Sequence, residues 1–127
     1  MSSLAKTLLV TAGVLLALAT VLGAVGTHAL RARLSPEQLA VFETAVRYHF
    51  YNALGLLAIG VVALSVNPPL LRWAAGLIVA GIVLFSGALY AASFGAPRII
   101  HMLPPLGGLS LIAGWVLFAV AIWRVPR

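Results

Sequence analysis

The stretch TLLVTAGVLLALATVLGAVGTHAL, residues 7–30, runs through 24 consecutive positions without a charged side chain. At 1.5 Å per residue a helix of that length measures about 36 Å, enough to cross a hydrocarbon core of about 30 Å. Residues 48–71, 73–97 and 99–123 are equally free of charge. The ten charges, Lys6, Arg31, Arg33, Glu37, Glu43, Arg47, Arg72, Arg98, Arg124 and Arg127, bracket these stretches or lie between them. Four such stretches in 127 residues leave almost nothing for a soluble domain. The chain therefore reads as all-α: a single membrane domain over 1–127, an integral membrane four-helix bundle.

Composition supports this reading. The chain is 63% hydrophobic and 8% charged, against about 25% charged in soluble domains. Its net charge of +6 would suggest nucleic acid in a soluble protein. Here the basic residues sit in short inter-helix segments, where membrane topology and anionic headgroups account for them; no nucleic-acid partner is expected. The absence of cysteine removes disulfides, thiolate metal sites and cysteine nucleophiles. The first apolar run exceeds the 7–15 residues of a signal-peptide core, so it reads as a span.

The spacing predicts spans over 6–29, 48–66, 70–96 and 104–124. Ser35 is a natural N-cap, Pro36 suits the first helical position and Gln38 completes a capping box. The second helix therefore starts at 35, with an amphipathic interfacial start through Leu39, Phe42 and Val46 before it spans. Small residues recur every four positions at Ala19, Gly23 and Thr27 and again at Gly87, Ala91 and Gly95. Such faces let backbones approach closely in lipid, and Gly107 and Gly108 read the same way. Arg72, Trp73, Trp123 and Arg124 are expected as interface anchors.

Four spans place Lys6, Arg72, Arg124 and Arg127 on one side and Arg31, Arg33, Arg47 and Arg98 on the other, an even count. The N-terminal amine tips the expectation towards both termini in the cytoplasm. His28, His49 and His101 all fall towards the Arg31 end, with both glutamates. The candidate polar site is therefore His28, Glu43, Arg47, Tyr48, His49, Asn52, Ser86, Tyr90, Arg98 and His101, since ionisable groups at membrane depth mark sites or buried pairs. His49 shares its helical arc with Phe42 and Val46 and should point into the bundle.

No catalytic constellation emerges. Glu37 and Glu43 point in different directions on one helix, and Ser86, Ser93 and Ser110 lack an evident base. The histidines lack the close spacing of zinc sites. The expectation is a non-enzymatic, cofactor-free protein whose His28–His49 face forms a polar site for packing, lipid headgroups or a partner. Partners would be the bilayer, a second copy or another membrane protein. Two alternatives stand beside it: a redox subunit using His28 and His49 for haem or quinone, and an oligomeric proton- or ion-coupled transporter lined by Ser86 and Tyr90.

Gly23-Ala-Val-Gly-Thr-His-Ala-Leu30, Tyr48-His-Phe-Tyr-Asn-Ala-Leu54, Leu84-Phe-Ser-Gly-Ala-Leu-Tyr90 and the glycine pair before Gly114-Trp115 resemble domain-of-unknown-function family 423, the YgdD-like group. The resemblance spans essentially the whole chain. It implies a small four-helix protein of the bacterial inner membrane and no assigned activity. The family motifs fall on His28, Tyr48, His49, Ser86, Tyr90, Gly107, Gly108 and Trp115. This chain departs from the pattern at Asn52, where family members often carry a histidine, and at Pro104-Pro105, where they often carry a threonine. A His49–Asn52 pair cannot bind a metal as two histidines would.

Overall fold

The first two helices begin where a serine supplies a partner for the backbone N–H groups that a helix start leaves bare, and the last two begin at prolines. In the computed structural model, which describes residues 1–127, α1 spans Ser3–Leu30, α2 Pro36–Val62, α3 Pro69–Ser93 and α4 Arg98–Trp123, each long and apolar enough to cross a membrane. α1 starts ahead of Lys6 because the Ser2 hydroxyl accepts from Ala5 N at 3.1 Å. At α2 the Ser35 hydroxyl accepts from Gln38 N at 3.2 Å and the Gln38 amide oxygen accepts from Ser35 N at 3.0 Å, the reciprocal capping box.

The later boundaries differ from the spacing by a few residues. α2 stops at Val62 in a turn through Ser65 rather than reaching 66. α3 stops at Ser93 rather than 96 because Gly95 takes φ 81°. With Ala96 N–H bonded to the Ala91 carbonyl and Gly95 N–H to the Ala92 carbonyl, this is a Schellman cap, whose left-handed residue favours glycine. α4 opens earlier than 104, as a 3₁₀ turn over Arg98–Met102.

Successive helices run antiparallel, and two contacts set the α1–α2 register. A Cβ on Gly26 would stand 2.7 Å from the Phe42 ring, and one on Gly60 2.8 Å from Leu9. That register places Ala5, Ala12, Ala19 and Gly26, all buried, opposite Ala63, Leu56, His49 and Phe42. The small face of α1 thus repeats every seven residues, not every four. Seven residues advance 700°, only 20° short of two turns, whereas four overshoot a turn by 40° and wander off the seam. Ala19 belongs to both patterns, and Gly23 stands in ordinary contact range of Val46. Thr27 does not: it is exposed, and its hydroxyl bonds back to the Gly23 carbonyl at 3.0 Å.

The α3–α4 seam follows the same rule. Gly107, Gly114 and Ala121 are buried at seven-residue spacing. A Cβ on Gly114 would lie 2.7 Å from Ile78 Cγ1 and 3.1 Å from the Ala74 carbonyl, and one on Gly107 would strike the α3 backbone at Leu84 and Phe85. α3 widens there into a π-helical turn over Ile82–Gly87. Within that turn Ser86 is buried and Gly87 is exposed, with open space around any added Cβ; beyond it Ser93 is buried and Tyr90 and Ala91 are half-buried. The expected Gly87–Ala91–Gly95 packing face is therefore corrected: Gly87 faces outward, and Gly95 is a cap residue in the loop. Gly108 is looser than its neighbour, since its added Cβ would meet only Phe85 Cδ2, at 3.9 Å.

α2 and α3 form the centre; α1 packs along α2, and α4 along α3. At the Arg72 end the core is wholly apolar, built from Leu4, Leu8, Leu56, Ile59, Leu71 and Ile78 among others. Arg72, Trp73, Trp123 and Arg124 stand exposed at that end, at the start of α3 and the end of α4. Phe42 and Ala45, in the first turns of α2, are buried, Phe42 against α1 and the rings of Tyr90 and Phe94.

This packing predicts that two neighbouring glycine substitutions diverge. Gly107→Leu should destabilise the fold by about 3 kcal/mol or more, because the obstacle is backbone. Gly87→Ala should be neutral or stabilising within about 1 kcal/mol. Denaturant titration in detergent micelles measures both.

Candidate functional site

In an antiparallel pair, side chains that lean towards their own helix N-terminus lean towards each other. His49 on α2 and Tyr90 on α3 meet in this way: His49 Nδ1 and the Tyr90 hydroxyl lie 2.8 Å apart. At the same level the Ser86 hydroxyl donates to the Ala45 carbonyl at 2.9 Å. The Phe42 ring covers Tyr90 with centroids 5.3 Å apart. His49 is 4% exposed and Ser86 1%, so both bonds lie in the protein interior.

A second polar link joins α2 to α4. Trp115 Nε1–H donates to Asn52 Oδ1 at 2.9 Å, and Asn52 Nδ2–H donates to the Tyr48 carbonyl at 2.9 Å. The Cζ2–Cη2 edge of the indole presses on Gly55, where any Cβ would collide with it. The Ser110 hydroxyl on α4 reaches the Leu77 carbonyl of α3 at 2.7 Å. Ser86, Tyr90, His49, Asn52, Trp115 and Ser110 are thus spent on joining helices, in the manner of interhelical polar contacts in lipid. Buried Ser93 instead donates to the Tyr90 carbonyl of its own helix at 2.7 Å.

One atom stands apart: His49 Nε2 is buried without a hydrogen-bond partner. The tautomer follows from counting. If His49 Nδ1–H donated to Tyr90, the hydroxyl proton and Nε2 would both lack partners. If Tyr90 donates, only the Nε2 proton is left, and this arrangement costs less. The Leu15 carbonyl of α1 lies near the ring without completing a bond of good geometry.

The structure does not bring the remaining candidates to this pair. His28, Glu43, Arg47, Arg98 and His101 are exposed, and Tyr48 is 42% exposed. With Gly26 beside Phe42, His28 sits about nine residues along the axis from His49, or about 13 Å. The expected His28–His49 face is corrected accordingly, because one ring points outward near the helix end and the other lies inside. No three His, Asp or Glu side chains converge. Glu43 and Arg47 instead line a shallow groove of about 290 Å³ over Gly23, Gly26 and Thr27. His101 and Arg98 occupy the 3₁₀ turn that opens α4.

Trp115 is the deep polar residue that reading from composition and spacing passed over. Its signal was available: a tryptophan in a charge-free span needs an acceptor for its N–H, and beside the capping residue Gln38, Asn52 is the one amide side chain in the four helices.

The family profile described as protein of unknown function, DUF423, matches residues 22–108, a range that holds every candidate polar residue. The UPF0382 membrane protein of Staphylococcus haemolyticus is 39% identical over 104 residues, covering 80% of this chain and 83% of its own length. The UPF0382 membrane protein YwdK of Bacillus subtilis is 41% identical over 105 residues, covering 82% and 85%. No solved structure matches the chain.

The polar pair predicts a non-additive mutant series. Tyr90→Phe alone should cost about 1 kcal/mol or more, since it strips His49 of its only partner. The double variant Tyr90→Phe with His49→Leu should recover much of that loss, because it removes both partners. Unfolding titrations of the two single variants and the double variant in bicelles measure the coupling.

Proposed function

The chain belongs to the DUF423 family, multi-pass membrane proteins, and from that premise and the geometry above we propose that it works as a non-catalytic membrane scaffold. Its spans hold one fixed arrangement, and its Arg31 end meets lipid headgroups or a protein partner, either a second copy or another membrane protein. Its place is the bacterial plasma membrane, with both termini on one side, the cytoplasmic one.

The observation that supports this reading is the division of polar groups by depth. Inside the spans His49, Tyr90, Ser86, Asn52, Trp115 and Ser110 bond across helices, while Thr20, Thr27, Thr44 and Ser93 bond back to carbonyls of their own helix. The charged side chains of that end are exposed: Arg31, Arg33, Glu37 and Arg98 lie at the helix ends or the turns between them, and Glu43 and Arg47 lie about two to three turns into α2. A scaffold needs a rigid interior and a charged rim, whereas a catalyst needs polar groups free to meet a substrate. The apolar plug from Leu4 to Ile78 also leaves no polar relay from His49 to the Arg72 end.

Two experiments test the proposal. In this cysteine-free chain, single cysteines at Ser2, Asn67 and Arg127 should label from one side of the membrane, and one at Ala32 from the other. Labelling of Ala32→Cys and Asn67→Cys from the same side would refute the topology. His49→Gln should lower the stability of the purified protein and any partner retention in parallel. Turnover that disappears in His49→Gln while stability is unchanged would refute the scaffold reading, as would a Soret band in the purified protein.

A further inference from the structure

α2 and α4 are bridged by the Trp115 side chain rather than by close approach of their backbones. Beside that bridge lies a groove of about 530 Å³. Its walls are Tyr48 and Tyr51 from α2 and Ile112, Trp115 and Val116 from α4, and Phe85 of α3 forms its floor. Tyr48 packs edge-on against both Tyr51 and Phe85, with centroids 6.0 and 5.1 Å apart. The Asn52 amide at its edge is already bonded on both sides.

The lining is apolar apart from the Asn52 amide and the Tyr48 and Tyr51 hydroxyls, so at membrane depth acyl chains fill the groove in preference to water. The groove covers about eight residues of α4, or about 12 Å, and its volume of about 530 Å³ falls within the range of about 300–1,000 Å³ typical of small-ligand pockets. Above the groove, α4 continues about ten residues, about 15 Å, to Arg98, its exposed first residue. The turn between carries His101 and no acidic side chain.

We propose that the α2–α4 groove is a lipid-binding site that holds one acyl chain of an anionic glycerophospholipid, whose phosphate pairs with Arg98 at the start of α4. The aromatic walls select a hydrocarbon chain, and the arginine selects the charge of the headgroup. The proposal rests on the membrane placement of the helices and not on the scaffold reading; topology labelling and turnover decide that reading without touching this one.

The test is native mass spectrometry of the full chain from detergent, supplied with dioleoyl phosphatidylglycerol or dioleoyl phosphatidylcholine. The wild-type chain should retain one phosphatidylglycerol about tenfold more tightly than phosphatidylcholine. Arg98→Gln should equalise the two lipids by weakening the anionic one. Ile112→Trp, at a position 63% exposed and so tolerant of size, should remove the bound lipid of either kind. Val116→Trp, at 59% exposure, repeats the block if the first variant does not fold. Equal retention of both lipids by the wild type would overturn the proposal. So would retention unchanged in a folded groove-filling variant, or a lipid-free two-chain species that Ile112→Trp dissociates.

Discussion

The α2 seam is the constraint on which the other contacts depend. Phe42, Ala45, His49, Asn52, Leu56, Ile59 and Ala63 are all buried and follow one another at alternating steps of three and four. That is the spacing of a helix that keeps one face against its neighbours along its whole length. Lipid tails are as apolar as leucine, so burial alone does not drive these helices together; close contact does. Every-seventh small residues on α1 and α4 permit that contact, and the larger residues of the central pair supply the surface they meet. Were α2 turned by one residue, its Phe42, His49 and Leu56 would no longer face the Gly26, Ala19 and Ala12 notches.

Polar bonds then act on a frame that packing has already brought into register. Interhelical hydrogen bonds in membranes average about 0.6 kcal/mol, so the four seen here together amount to a few kcal/mol at most. Their larger effect is on specificity. A slip of one turn between α2 and α3 would strand Ser86 and Tyr90 in hydrocarbon, and each unsatisfied group carries a penalty larger than the bond it lost. The π turn in α3 belongs to the same design. By adding a residue to the turn it sets Ser86 and Tyr90 towards α2 while bringing the Phe85 backbone against Gly107.

How much of this was legible depended on the range of the physics involved. Charge-free length is a local property, so the four spans could be read directly, and the Ser35–Gln38 capping box is local too. The inward stripe of Ser86, Tyr90 and Ser93 could be seen as a polar set but not assigned a face, because the π turn that orients it has no sequence signature. Gly95 looked like a member of a packing stripe and is a helix terminator, a distinction that only its φ reveals. Depth was the hardest to judge. His28 and His49 share an end of the bundle, yet the register set by Gly26 and Phe42 separates them along the axis, and no single helix encodes that register.

α1 is the helix this arrangement holds least. No side-chain hydrogen bond joins it to a neighbour: Thr20 and Thr27 both bond back to their own helix. It is also the least buried of the four spans, at 17% against 39% for α2 and α3. The Nε2–H tautomer of His49 changes the meaning of that weakness. With Nδ1 taken by Tyr90 of α3, the free proton is left on the ring beside α1, near the Leu15 carbonyl and opposite Ala19. A small closure of the α1–α2 seam would let one imidazole connect three helices, so a buried atom that looks like a defect is the one polar link α1 has available.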